Sequence, residues 1–444
     1  MSTTQPATLA LRALCAATVA AAWIAGPAAA QEEAAAAEAG ARPTASSAPG
    51  TDPPVSEAPL YRDVTRSHLP AGELEGLSMD AGIADLDGDG DPDVLIANEH
   101  RPNILLLNDG EGRFTIASDR IPQISHDSED VGFGDFDGDG HLDAIVVSED
   151  DRRNELYLNE GDGSFRDASG RLPVTGTSNA VAVADLTGDG APDVLIGNNG
   201  QNVFLENDGE GGFTDATGER LPVILDVTQD VELGDADGDG DPDLLVGNED
   251  DNRLLINDGT GRFEDQSADR TPYREGREET READFGDVDG DGDLDVLFAN
   301  VQAFVEDADP SNRLLINDGT GHFADETEGR LPEDDDRSFD GDLLDVDRDG
   351  DLDVVTSNTD FDLEAERIAP LPYRVYLNDG EGRFRLATEE VFPEGVTGMG
   401  FDVEGADLDG DGLMDLYLAG RGTVDRLLLG VEQQGDDGAE GIDR

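Results

Sequence analysis

A nine-residue pattern, Asp-x-Asp-Gly-Asp-Gly-x-x-Asp, dominates the chemistry open to this chain. It begins at Asp85, Asp135, Asp185, Asp235, Asp287, Asp345 and Asp407. Alternating carboxylates at positions 1, 3 and 5 point into one tight loop. Glycine at position 6 permits the sharp turn, position 7 offers a backbone carbonyl, and Asp at position 9 closes the shell. Calcium takes six to eight such oxygens at about 2.3–2.6 Å.

The candidate ligands follow loop by loop. They are Asp85, Asp87, Asp89, the Asp91 carbonyl and Asp93; then Asp135, Asp137, Asp139, the His141 carbonyl and Asp143. The third loop has Asp185, Thr187, Asp189, the Ala191 carbonyl and Asp193, with a neutral hydroxyl at position 3. The fourth has Asp235, Asp237, Asp239, the Asp241 carbonyl and Asp243, and the fifth Asp287, Asp289, Asp291, the Asp293 carbonyl and Asp295. The sixth keeps Asp345, Asp347, Asp349, the Asp351 carbonyl and Asp353, but Arg348 replaces the position-4 glycine. The seventh has Asp407, Asp409, Asp411, the Leu413 carbonyl and Asp415. The third loop is expected to bind most weakly, and Arg348 to cost backbone freedom or local charge. Magnesium, which retains waters and few carboxylates, suits these loops less well. An EF-hand shares the opening of the pattern but needs Glu at position 12. Here that position holds Ile96, Val146, Ile196, Val246, Phe298, Thr356 or Leu418.

The spacings between loops are 50, 50, 50, 52, 58 and 62 residues. After each of the first six comes a second motif, such as Asn108-Asp-Gly-Glu-Gly-Arg-Phe114 or Asn159 to Phe165. Asn-Asp-Gly between apolar segments is a hairpin signal, because these residues tolerate positive φ. Each repeat reads as four strands: in the second, Val131–Gly134, Ala144–Val147, Glu155–Leu158 and Phe165–Ser169. Four strands in about 40–50 residues is the pattern of a propeller blade. The seventh repeat lacks its hairpin and fourth strand, while Leu60–Thr65 matches a fourth strand before the first complete repeat. The expected fold is therefore an all-β, seven-bladed propeller of four-stranded blades, its ring closed by an N-terminal strand that completes blade seven.

These paired motifs resemble the VCBS and FG-GAP repeat family, whose propellers include the integrin alpha-subunit head. The resemblance spans about residues 60–430. It implies calcium in the loops joining first and second strands, and partner binding on the opposite face.

Composition fits a cation-rich setting. The formal net charge is −75, from 104 acidic against 29 basic residues, and lysine is absent. Such a field disfavours nucleic acid and anionic membranes. Up to seven calcium ions would supply +14, leaving about −61. Residues 1–30 read as a signal peptide, with Arg12 at its basic end and Ala28-Ala29-Ala30 at the cleavage site. Residues 31–59 read as a disordered Ala/Pro/Ser-rich linker, 60–430 as the propeller and 431–444 as a disordered acidic tail. The only cysteine, Cys15, falls in the signal, and no later stretch is long and apolar enough to cross a bilayer.

The sequence contains no catalytic constellation. The histidines His68, His100, His126, His141 and His322 form no metal-ligand pairing, and there is no Gly-x-Ser-x-Gly elbow. The expected function is a secreted, monomeric, non-catalytic module in the periplasm or cell exterior. It would bind or adhere to a protein or glycan, with calcium structural. A polysaccharide lyase using Tyr273, Arg274 or Tyr373, and a purely structural surface protein, are the alternatives. Two features mark the face opposite the loops. Long connections run over Asp265–Arg281, holding Tyr273, Arg274, Arg277 and Arg281, over Val301–Asn312 and over Thr359–Pro372. An acid also recurs five residues before each loop, at Asp80, Asp130, Asp230, Glu282, Asp340 and Asp402, with Ala180 beside Asn179 as the exception. These acids are expected to be turn formers, or to ring a channel mouth that takes a cation or basic group.

Overall fold

The computed structural model describes residues 59–432, apart from 73, 150, 151, 273, 275, 276, 334–336 and 363–366. The expected signal peptide, nearly all of the linker and most of the tail lie outside the described residues, as does Tyr273. Chain contacts define two compact units, and the architecture below belongs to the larger, Ala58–Phe361 with Ile368–Arg444. Among the described residues no helix is long and apolar enough to cross a membrane.

The repeat around Asp135 shows why these residues form strands. Ser125–Gly134, Asp143–Ser148, Glu155–Asn159 and Phe165–Asp167 pair antiparallel in that order. Ala144, Ile145, Val146 and Val147 are all fully buried. Successive strand residues point to opposite faces. Ala144 and Val146 pack with Leu95 and Leu105 of the preceding repeat. Ile145 and Val147 pack with Val181, Val194 and Phe213 of the following one. Each sheet is thus sandwiched between neighbours, which is why its second strand is an unbroken apolar run rather than an alternating one.

The same unit recurs along the chain. Its last example is assembled from both ends of the described chain. Gly400–Ala406, Asp415–Val424 and Arg426–Gly430 pair in order, and Tyr61–Asp63 adds as the fourth strand, with Tyr61 opposite Gly430. Tyr61 thereby takes the place that Phe114 takes opposite Asn108. Its ring meets Phe392 edge-on at 5.8 Å.

Two expectations need correction. First strands begin earlier than the apolar pattern suggested, at Ser125 rather than Val131. Their early residues pair with the end of the preceding second strand, as Asp127 does with Glu99. Thr359–Pro372 is also largely strand rather than loop. Asp353–Asp362 runs into it, Arg367–Pro372 follows, and Leu371 pairs with Gly398.

Candidate metal centres and the opposite face

Each Asp loop joins a first strand to a second strand, and its carboxylates organise its own backbone. In the first loop Asp85 accepts from Gly88 N at 2.8 Å and Gly90 N at 3.1 Å. Asp89 N donates to Asp87, and Asp91 N to Asp89. Asp93 is fully buried. It accepts from Leu86 N and Asp87 N on Oδ2, and from Asn108 N on Oδ1 at 2.9 Å. Asp85, Asp87 and Asp93 bring one oxygen each within 4.8 Å of the others, as do Asp135, Asp137 and Asp143.

This clustering leaves carboxylate charge unbalanced. Burial, the largest cause, raises the Asp93, Asp143 and Asp415 carboxyls to about 6. Asp243, Asp295 and Asp353 rise to about 7. At position 3, Asp137, Asp237 and Asp289 each turn Oδ2 to an arginine, respectively Arg166, Arg270 and Arg330. The Oδ1 atoms of all three are buried without a hydrogen-bond partner, as is Oδ1 of Asp345. Orphaned, convergent carboxylate oxygens of this kind fit a hard cation such as calcium.

The two deviant loops differ in kind. Thr187 removes one carboxylate, while its N–H still donates to Asp193 Oδ2 at 3.1 Å. Arg348 keeps the left-handed turn, with φ of 68° against 72–79° for the glycines at the same place in the other loops. Its side chain leaves the loop, and Nη1 donates to Val431 O at 3.0 Å. Position-7 side chains pack against the hairpin in addition to the carbonyl that position offers. Asp91 fills the space beside Gly110, where a Cβ would meet its Oδ2 at 2.5 Å, and His141 lies likewise against Gly161. The hairpin glycine is required by its positive φ, and the position-7 side chain packs against it.

Sequence reading missed two sets of clamps between neighbouring units. Asn159, opening a hairpin motif, donates from Nδ2 to Leu86 O at 2.8 Å and Leu142 O at 2.9 Å. Asn108, Asn207, Asn317 and Asn378 reach Leu408 O, Phe136 O, Ala236 O and Val288 O in the same way. Each of these cross-unit acceptors is position 2 of an Asp loop, the preceding one in the chain except for Asn108 of the first unit, which reaches the last loop. The second set is an arginine after the fourth strand. Arg120, Arg171, Arg270 and Arg330 donate to Asp162 O, Glu210 O, Thr320 O and Glu381 O of the next hairpin, and Arg220 reaches Thr260 O. A recurring Arg-x-Pro, as in Arg171-Leu-Pro and Arg330-Leu-Pro, was the available signal.

The recurring acids are not simple turn formers. A β-bulge precedes each, as between Ser78 and Asp80, and re-aims the strand. Asp80, Asp130, Asp230 and Asp402 then accept from Val131 N, Val181 N, Ala283 N and Ala81 N of the next unit. Beside the Ala180 exception, Asn179 Nδ2 donates to Thr228 O at 2.6 Å.

The long connections are braced by ion pairs. Arg274 pairs with Glu278 and Asp309, Arg277 with Asp250, and Arg281 with Glu279 and Glu249. Glu279 accepts from Ala303 N, Phe304 N and Val305 N. Burial works to raise its carboxyl, but Arg281 and these N–H groups hold it below the usual range. Tyr373 is 2 % exposed and belongs to the core. At the bulges, Arg281 lies over the Phe304 and Phe339 rings at 4.9 and 5.7 Å. Phe339 stacks on Phe401 at 4.6 Å, and Arg421 lies over Phe401 at 5.6 Å.

The family model for the FG-GAP-like repeat matches residues 85–146, 135–196, 185–246, 235–298, 287–356 and 370–418. The chain belongs to the FG-GAP-like repeat family. No curated protein matches it significantly. Among solved structures, BBS1N in complex with ARL6DN is similar with 10 % identity and a TM-score of 0.51, over 84 % of this chain and 98 % of that one. YCF48 bound to D1 peptide is similar with 9 % identity and a TM-score of 0.50, over 86 % and 100 %. An Agrocybe aegerita lectin that recognises terminal N-acetylglucosamine gives 17 % identity and a TM-score of 0.45, over 71 % and 81 %. The FG-GAP-like repeats here thus build an all-β, propeller-like fold.

Proposed function

We propose that this FG-GAP-repeat protein is a secreted, closed seven-bladed propeller that holds structural calcium in its Asp loops and binds a protein or glycan on the opposite face. The carrying observation is the convergence of carboxylates in the Asp85 and Asp135 loops, together with buried, unpartnered loop oxygens at Asp137, Asp237, Asp289 and Asp345. The ions supply positive charge that stabilises the loops and takes no part in chemistry. Closure is supported by Tyr61–Asp63 completing the Asp407 unit, and by contact of its first strand, Gly400–Ala406, with Glu75–Ala84. A rigid ring would present the braced long connections and the Arg281, Phe304, Phe339, Phe401 and Arg421 cluster as one surface. Two structures of similar fold hold a protein or peptide partner, BBS1N with ARL6DN and YCF48 with D1 peptide. Secretion is read from the first 30 residues alone.

A glycan and protein array probed with and without a calcium chelator tests this role. Selective binding in calcium that the chelator abolishes is expected. An array blank in calcium, from protein shown to be folded, would overturn the binding-module reading.

A further inference from the structure

The seam between the Asp85 and Asp135 units is wired differently from the others. In four other units a hydroxyl on the first strand meets an Asn at the end of the second. Ser178, Thr228, Thr280 and Ser338 donate from their hydroxyls to Oδ1 of Asn198, Asn248, Asn300 and Asn358 at 2.7–3.0 Å. The preceding unit closes the link, with Nδ2 of Asn154, Asn252 and Asn312 donating to the hydroxyls of Ser178, Thr280 and Ser338.

Both parts change in the Asp135 unit. Ser148, opposite Ser128, stands where those units have Asn. Asn103, the corresponding Asn of the Asp85 unit, turns instead to Glu155 Oε2 at 3.0 Å and the Tyr157 hydroxyl at 3.1 Å. Ser128 Oγ, Ser148 Oγ and Glu155 Oε1 are left buried without hydrogen-bond partners. Their residues are 0, 0 and 2 % exposed.

Register brings the three oxygens together. Ser128 pairs directly with Ser148, and Glu155 pairs with Val146, two residues before Ser148. Alternate residues of a strand share a face, and a diagonal neighbour lies within reach of a long side chain. This face packs on the Asp85 unit, where Val146 meets Leu95 and Leu105. Glu155 Oε1 also lies 3.9 Å from Nε2 of His126, two residues before Ser128 on the same strand. The oxygens therefore border the space that an Asn carboxamide fills in the other units. Buried carboxylate and hydroxyl oxygens left unpaired are costly unless something compensates them.

We propose that Ser128, Ser148 and Glu155 hold one dehydrated alkali cation at this seam, in place of the missing carboxamide. One carboxylate and two neutral hydroxyls supply a single negative charge, which suits a monovalent ion. Calcium, by contrast, is matched by the several carboxylates of each Asp loop. Exchanging Asn for Ser leaves room for a single ion or water. Without the ion Glu155 keeps a proton, because burial raises its carboxyl to about 7.

Crystals of the full chain soaked in thallium(I) acetate test this through anomalous scattering. A peak between Ser128, Ser148 and Glu155 is expected in the wild type. Ser148→Asn, which rebuilds the link used elsewhere, should remove it. In solution, at saturating calcium and about pH 8, Glu155 is ionised. There the melting temperature should rise by a few degrees when sodium or potassium chloride replaces choline chloride at equal ionic strength. Ser148→Asn should erase that rise. Glu155→Gln, near-isosteric and checked for folding by circular dichroism, should erase it too, even if Asn does not fit at 148. A wild-type map without a peak at these oxygens overturns the proposal. So does a wild-type melting temperature indifferent to the cation, and water is then the occupant.

Discussion

Arg348 offers a test in which two opposing energies set a rank order. Its φ of 68° lies in the left-handed region, where a residue with a Cβ costs about 1–2 kcal/mol. Against this, Nη1 makes a charge-assisted bond to Val431 O at 3.0 Å, worth roughly 1.5–3 kcal/mol. The place of the bond explains it. In five other units a hairpin Asn clamps the preceding Asp loop, but the Asp407 unit has Gly430 there. Gly430 N still donates to Asp415 Oδ1 at 2.8 Å, as Asn108 N does to Asp93. The missing clamp is replaced from the other side, by Arg348 reaching out of the loop. Its Nε and Nη2 are buried without partners, which puts the gain at the lower end. Arg348→Ala keeps the strain and loses the bond, so a loss of about 1.5 kcal/mol is expected. Arg348→Gly relieves about 1 kcal/mol of that strain and should fall midway. Urea denaturation at saturating calcium reads both. A glycine variant more stable than wild type would instead make Arg348 a plain cost.

Two further outcomes follow from the same contacts. Asn159→Ala should lose about 1–3 kcal/mol, because Leu86 O and Leu142 O lose a shared buried donor; denaturant midpoints check this. The second concerns pH. Burial raises Glu232 to about 8, and Asp425 and Glu155 to about 7. These groups keep protons in the folded state that the unfolded chain releases near pH 4. Chelated protein should therefore lose stability as pH rises from about 4 to 8. Melting temperatures constant or rising across that window would contradict this.

Much of the fold was legible in the sequence because its signals are local. The Asp loops, the hairpin glycines and the apolar runs each specify a turn or strand within about ten residues. The stray Tyr61–Asp63 was readable because a repeat reveals what is missing from it. Contacts between units were not legible. Asp80 meets Val131 N 51 residues away, and Asn378 meets Val288 O 90 residues away. Nothing in local spacing names such partners. The same reason hid the direction of Arg348, the arginine clamps and the aromatic cluster, whose rings Phe304, Phe339 and Phe401 come from separate units.

Calcium in the Asp loops, as proposed above, would hold the propeller together. Each site at calcium 100-fold above its dissociation constant adds about 2.7 kcal/mol. Occupancy of several loops should then lower the melting temperature by on the order of 10 °C or more when a chelator is added. Differential scanning calorimetry of the full chain, with metal content measured on the same sample, is the direct measurement. Several calcium ions per chain and a large, calcium-reversible drop in melting temperature on chelation are expected. A metal-free sample whose melting temperature does not move with calcium would contradict it.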